Sequence, residues 1–251
     1  MQVQITKILN TESGTVPLDI QLDIEAGSTV GIYGPSGSGK TMLLRCIAGL
    51  EKPDQGRIEF EDQVWFCSKQ ATNMPTYQRN VGLLFQDFPL FPHMNVEDNL
   101  GIGSTSKILS ELLLAESGLT ELRRAYPSKL SGGQRQRLAL VQALASQPKL
   151  LLLDEPFSAL DWQKRSHIQN LIRRCQAEHN MTILLVSHLM EDLIRMTSRI
   201  LEIKNGRVTG DLSIDDFLRM KAEEQTVHQS EIIKIQTGEA YQVNGNHVRR
   251  I

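Results

Sequence analysis

The chain is poor in cysteine, has no long apolar run and carries no excess of one charge. Its three cysteines are Cys46, Cys67 and Cys175. The number is odd and no two sit at metal-ligand spacing, which argues for reduced thiols rather than a disulfide framework or a zinc site. The longest apolar runs are short, such as Leu150 to Leu153 and Ile183 to Val186. A membrane-spanning helix needs roughly 20 apolar residues, so a role at a membrane would have to pass through a partner. Lysine and arginine number 27 against 29 acids, a formal net charge of -2. That balance gives no basic footprint for nucleic acid, and no nucleic-acid partner is expected. The first residues, MQVQITKI, alternate like a strand and lack an apolar core segment, so no secretory signal is expected. Internal repeats and low-complexity tracts are absent.

What is present fits one large α/β domain with a small appendage, in 251 residues. Leu18, Ile20, Leu22 and Ile24 alternate with polar residues, the period of a half-buried strand. Thr29 to Tyr33 is a short apolar run that stops at glycine and proline. Thr41 to Leu50 has helical spacing, Arg57 to Phe66 alternates again, and Asn80 to Gln86 is a further apolar run. From about residue 88 to 147 the pattern is helical and punctuated by Pro89, Pro92, Gly101, Gly103 and Pro127, which predicts an inserted helical subdomain. Leu150 to Leu153 and Thr182 to Val186 are almost purely apolar, as suits central strands of a parallel sheet buried on both faces. The helical stretch Trp162 to Glu178 joins them into a βαβ unit. Asn205-Gly206 predicts a hairpin between Arg199–Ile203 and Arg207–Thr209. Ser213 to Asp216 predicts a capped helix start, and strands are expected at Glu231–Gln236 and Ala240–Arg250. The expected division is a main domain over residues 1–210 and a short extension over 211–251.

Gly34-Pro35-Ser36-Gly37-Ser38-Gly39-Lys40-Thr41 fits GxxxxGK[ST], between an apolar strand and a helical segment. Glycines there let successive backbone N–H groups point inward and form an anion cradle at a helix N-terminus. Lys40 adds a cation for the β- and γ-phosphates, and the Thr41 hydroxyl suits Mg²⁺.

Leu150-Leu-Leu-Leu-Asp154-Glu155 sets two acids just past a buried strand, at the sheet edge where ligands bind in α/β folds. Asp154 is expected to serve the metal. Glu155 is expected to orient and deprotonate an attacking water.

Further motifs carry a family resemblance. Leu130-Ser131-Gly132-Gly133-Gln134 is similar to the signature of ABC ATPases, and Ser158-Ala-Leu-Asp161 resembles their D-loop. His188 resembles the switch histidine and Gln86 the glutamine of the Q-loop. All occur in the family's order over about residues 1–210. The resemblance implies a phosphate-loop ABC cassette with a mostly parallel core sheet, an antiparallel β subdomain and the inserted helical subdomain. It implies ATP and Mg²⁺ as ligands, with Gln86 touching the metal or water and His188 the γ-phosphate. Ser131, Gly132, Gly133, Gln134 and Asp161 would meet a nucleotide held by a second copy, giving a head-to-tail dimer that sandwiches ATP.

The chain departs from the family pattern twice. Members usually stack an aromatic on adenine, whereas Asn10 to Val16 holds none, and Gln142 stands where arginine is frequent. The stretch Tyr77 to Leu100 resembles importer cassettes for molybdate, sulfate, sugars, polyamines or iron. That implies a peripheral motor on the cytoplasmic face of the inner membrane, docked to permease subunits through Phe88, Leu90, Phe91 and Met94. The missing aromatic favours molybdate-like members and hence an oxyanion cargo. The alternatives are a soluble ABC ATPase in DNA repair, translation or Fe–S assembly, and a phosphate-loop kinase or GTPase. The intact signature argues against the latter.

Overall fold

The computed structural model describes residues 1–11, 14–85, 90–224, 232–234, 240–244 and 247–250, with residues 10, 11, 14 and those beyond 222 described by backbone alone. The chain opens with β1 (Gln2–Thr11) and β2 (Gly14–Asp23), antiparallel with Ile5 opposite Ile20. β3 (Thr29–Tyr33) leads through the glycine-rich loop into α1 (Lys40–Ala48). Next come β4 (Gln55–Phe60), β5 (Gln63–Cys67), β6 (Thr72–Asn73) and β7 (Val81–Leu84). The helices α2 (Val96–Gly101), α3 (Lys107–Glu116) and α4 (Gly132–Ala145) follow, and no strand interrupts the described residues between 90 and 147. The second half alternates: β8 (Leu150–Asp154), α5 (Trp162–His179), β9 (Thr182–Val186), α6 (Met190–Met196), β10 (Arg199–Lys204), β11 (Arg207–Ser213) and α7 (Ile214–Glu224). A separate three-stranded sheet holds β12 (Ile232–Lys234), β13 (Ala240–Asn244) and β14 (His247–Arg250).

The main sheet runs β6-β5-β4-β1-β2-β11-β10-β3-β9-β8-β7. From β10 to β7 all neighbours are parallel, while β6, β5, β4, β1 and β2 pair antiparallel. The mixed α/β class expected from the sequence is what the chain adopts.

Strict alternation along β8 divides the core. Leu151 and Leu153 pack with Leu140, Ile168, Leu193 and Phe217 from the helices on one face. Leu150 and Leu152 pack with Leu44 and Ile47 of α1 and with Ile20 and Ile58 of the antiparallel layer. Every residue of β8 and β9 is buried, which is why their sequences are apolar without a polar alternate.

One alternating segment proves to be two strands. Residues 57–66 turn at Glu61 and Asp62, both at positive φ (46° and 63°), so β4 and β5 form a hairpin. The predicted turn at Asn205-Gly206 is present, with φ of 49° and 74°. Gln142 finds a definite role: its Nε2 donates to the carbonyl of Asn99 at 3.0 Å and ties α4 to α2. Arg79 anchors the C-terminal end of α1, donating from Nη1 to the carbonyls of Cys46 (3.0 Å) and Ile47 (2.7 Å). A cation there complements the helix dipole, although burial pushes its guanidinium down to about 10.

Helix α7 packs into the main core. Phe217 and Leu218 are fully buried, and the Phe217 ring meets Tyr33 edge-on with centroids 5.3 Å apart. Buried Lys221 lies 3.3 Å from Glu202 of β10. The capping contact at its start is present, with the Asp216 N–H donating to Ser213 Oγ at 3.1 Å.

Candidate active site

Three parallel strands, β3, β8 and β9, end at one edge of the sheet, and most of the sequence-predicted site residues leave from those ends. After β3 the chain must turn sharply with little side-chain bulk. Gly39 sits at φ 98°, and a Cβ there would lie 2.6 Å from Leu18 Cδ1. At Gly37, also at positive φ (76°), a Cβ would meet nothing within 4 Å, so that residue faces open space. The first N–H groups of α1 have no carbonyl behind them in the helix and point into this concavity. Lys40 lies across it, its Nζ donating to the carbonyls of Gly34 (2.8 Å) and Pro35 (2.7 Å). Partial burial lowers the Lys40 ammonium, against the pull of Glu155 and Asp154.

β8 delivers the acids. The Thr41 hydroxyl donates to Asp154 Oδ2 at 2.6 Å. Asp154 is 3% exposed. Burial raises its carboxyl above the ordinary range, opposed by the Thr41 hydrogen bond and by Lys40. A hydroxyl and a carboxylate side by side are oxygen donors of the kind a hard divalent cation takes. Among the described residues no group of three metal-ligating side chains gathers anywhere. A cation here would lean on Thr41, Asp154 and a nucleotide's own oxygens.

Glu155 adopts φ 52°, rare for a residue with a side chain. Its N–H donates to the Val186 carbonyl at 3.0 Å, which fixes the chain to the end of β9. Its carboxylate is gripped by the second residue after β9: the His188 N–H donates to Oε1 at 2.9 Å, and His188 Nδ1 lies 2.8 Å from Oε2. A carboxylate only accepts, so Nδ1 carries the hydrogen in this contact. Lys40, Thr41, Asp154, Glu155 and His188 are thus brought together.

Ser131 caps α4, with its Oγ accepting from the Gln134 N–H at 3.3 Å while Gln134 Oε1 accepts from the Ser131 N–H at 2.7 Å. Gly132 has open space where a Cβ would stand, and Gly133 lies against the carbonyl of Ala159. Among the described residues no hydrogen bond joins these residues to the glycine-rich loop. Asp161 caps α5 and accepts from the Lys164 N–H (3.0 Å) and Nζ (2.6 Å), contacts that lower its carboxyl, the side-chain bond most. Gln86 and Phe88 lie outside the described residues.

Two residues of the site carry no motif of their own. Gln136, fully buried in α4, donates from Nε2 to the carbonyl of Glu155 (3.2 Å) and accepts from the Ala159 N–H at Oε1 (3.0 Å). Asp192, on α6, accepts from Ser187 Oγ at 3.1 Å and from Gln169 Nε2 at 2.9 Å. Ser187 Oγ in turn accepts from the Leu189 N–H at 3.1 Å, which supports the His188 turn from below. Burial pushes the Asp192 carboxyl up to about 6. The only signal for either in the sequence is a polar residue at an apolar helix position.

Residues 18–158 match the family description "ABC transporter". The chain belongs to that family. The cassette is 41% identical over 197 residues to a probable sulfate/thiosulfate import ATP-binding protein of Chlorella vulgaris, covering 75% of this chain and 81% of the relative. It is 33% identical over 240 residues to a molybdenum import ATP-binding protein of Azotobacter vinelandii, covering 93% of this chain and 66% of the relative. With an Fe(3+) ions import ATP-binding protein of Pseudomonas fluorescens it shares 44% identity over 203 residues, covering 78% of this chain and 57% of the relative. The chain therefore spans much of the Chlorella protein but roughly three fifths of the other two. Among solved structures, a dimeric ATP-binding cassette in a post-hydrolysis state with ADP and Pi superposes with a TM-score of 0.73 at 28% identity, covering 85% of this chain and 97% of that one. A bacterial ABC exporter with ATP bound, 23% identical with a TM-score of 0.75, shares the fold.

Proposed function

We propose that this ABC cassette binds and hydrolyses ATP and is the motor subunit of a membrane importer. The observation that carries the reading is the pair Glu155–His188, set beside Thr41–Asp154 at the edge where the glycine-rich loop opens. The loop's N–H groups and Lys40 bind the β- and γ-phosphates. Thr41 and Asp154, with Gln86 from the sequence motif, would hold Mg²⁺, which when bound neutralises phosphate charge. Glu155 accepts the proton of the attacking water, and its rigid hold by His188 and Val186 keeps the carboxylate aimed. His188 keeps Nε2 free to contact the γ-phosphate.

The exposed turn Ser131–Gly133 and the start of α4, a helix of 14 residues, offer free N–H groups and partial positive charge to the nucleotide of a second copy. Likeness to a dimeric cassette supports that arrangement, with Asp161 at the same face. Burial of Phe217 and Leu218 supports a cassette that extends through Glu224, beyond the boundary expected at residue 210.

The importer role rests on the printed functions of the relatives, and permease partners and a peripheral place at the cytoplasmic membrane face follow from the family resemblance. No helix among the described residues is long and apolar enough to cross a membrane. Exposed Phe91, with Leu90 and Met94, supplies an apolar surface for permease docking, and Ile102, Ile108 and Leu112 extend the exposed apolar side of the helical subdomain. Sulfate/thiosulfate, molybdenum and Fe(3+) among the relatives' printed functions make a small inorganic ion, and an oxyanion in particular, the favoured cargo.

Glu155→Gln tests the catalytic part. The variant keeps ATP affinity within about threefold and loses at least about 100-fold in turnover. Hydrolysis at the parent rate would remove Glu155 from the mechanism.

A further inference from the structure

The root of the glycine-rich loop is seated on β10. Tyr33, the last residue of β3, stands opposite Glu202 in the parallel register. The next residue meets the strand more tightly still. A Cβ on Gly34 would lie 2.0 Å from the Ile203 carbonyl oxygen, so the loop leaves the sheet pressed against the backbone of β10. Whatever fixes Tyr33 and Glu202 therefore fixes where the cradle begins. Both are gripped from one place, Lys221 of α7. Its Nζ lies 5.5 Å from the centroid of the Tyr33 ring, 5.6 Å from that of Phe217 and 3.3 Å from Glu202 Oε1. An ammonium within about 6 Å of a ring centroid is drawn to the ring face.

Packing alone gives no reason for a cation at this position. Lys221 is 6% exposed and Glu202 4%. Desolvation of a buried ion pair offsets most of its attraction, and an apolar side chain of the same length would fill the space between two rings. Nor does Glu202 need a second cation for neutrality. Its Oε1 already has Lys204 Nζ at 2.9 Å, and its Oε2 accepts from Thr209 Oγ1 at 3.1 Å. What Lys221 adds is a tie that joins the end of β3, the end of β10 and α7 at one point. It lies outside residues 18–158, the span that matches the family.

We infer that Lys221 is a positioning residue for the glycine-rich loop, and that α7 sets the affinity for the triphosphate through it. Lys221 acts through Tyr33 and Glu202 on Gly34. With the cation gone, the Tyr33 ring is released, Gly34 moves with it, and the loop N–H groups lose their common aim. Those groups hold the phosphates in the ground state and the transition state alike, so the loss falls on KM rather than kcat. Glu155 and His188 follow other strands, β8 and β9, and keep their geometry. This rests on the proposed triphosphate binding.

The test measures KM and kcat for ATP with the full chain and Mg²⁺. The variants are Lys221→Met, which keeps the stem and drops the charge, Lys221→Arg, which keeps the charge, Tyr33→Leu, and the double variant Lys221→Met with Tyr33→Leu. Lys221→Met is expected to raise KM about 5- to 20-fold with kcat within about twofold of the parent, and Lys221→Arg to stay within about threefold of the parent KM. Tyr33→Leu raises KM as well, and the double variant exceeds the worse single one by no more than about twofold, because the two residues act as a unit. An unchanged KM in Lys221→Met overturns the inference, as does a double variant whose KM effects multiply. So does a Lys221→Met protein that loses kcat and kcat/KM equally, or a Lys221→Arg protein no better than Lys221→Met. Should Lys221→Met fail to fold, an unchanged KM in Tyr33→Leu overturns it. A parent chain that turns over no ATP contradicts the hydrolytic reading instead, and the same comparison is then read from equilibrium ATP binding.

Discussion

The side-chain amide of Gln136 donates to the backbone carbonyl of Glu155 at 3.2 Å. The helix that starts at Ser131 thereby holds the backbone of the proposed base, which sits at φ 52°. A conformation of that kind persists only where its surroundings enforce it. Gln136 also takes the Ala159 N–H, so one side chain sets the path of the turn from Glu155 to Ala159.

Gln136→Leu should therefore lower turnover more than binding. The expected loss is about 10- to 100-fold in kcat, as for displacement of a catalytic group, with KM for ATP within about threefold because Lys40 and Thr41 are untouched. Steady-state phosphate release over a range of ATP concentrations separates the two. An unchanged kcat would mean that the turn holds itself.

Asp192 gives a pH signature. Its carboxyl is pushed up to about 6 from 3.8, chiefly by burial, so the folded state binds this proton more tightly than the unfolded state. Its contribution to stability is complete below about pH 4 and is lost as pH rises to about 6. Asp192→Asn lacks that dependence. Denaturant unfolding should show the parent losing stability relative to the variant between pH 4 and 7, by up to about 3 kcal/mol. Parallel stability curves would place the Asp192 titration near its ordinary range.

Phe217→Ala tests whether α7 belongs to the cassette. A fully buried aromatic against Tyr33 and the helical face of the sheet should cost about 3–5 kcal/mol on truncation. Because Tyr33 leads directly into the glycine-rich loop, nucleotide affinity should fall as well. Unfolding midpoints with and without ATP measure both. A loss below about 1 kcal/mol would return α7 to the status of a loose extension.

Much of this was legible in the sequence because it is local. The apolar run Leu150–Leu153 identifies a strand buried on both faces, and Asn205-Gly206 supplies the positive-φ pair that a tight hairpin needs. The glycine-rich loop, the two acids and the signature are each contiguous, and their order along the chain fixes which sheet edge they share. Other features depend on contacts between distant segments. Glu61 adopts positive φ although its type disfavours it, and Asp62 alone is a weak turn signal, so one alternating run conceals a hairpin. The boundary expected at residue 210 rests on a change of composition, whereas burial of Phe217 and Leu218 depends on the sheet they meet. The contact of Gln136 with Glu155 arises only when α4 crosses the end of β8.

The central claim is that hydrolysis takes place at sites built by two copies of this chain around ATP. Sedimentation velocity of Glu155→Gln with Mg²⁺ tests it most directly, with saturating ATP compared against ADP. A dimer with ATP and a monomer with ADP is the predicted result. A protein that stays monomeric with ATP bound would contradict it, and Ser131–Gln134 would then have no nucleotide to face.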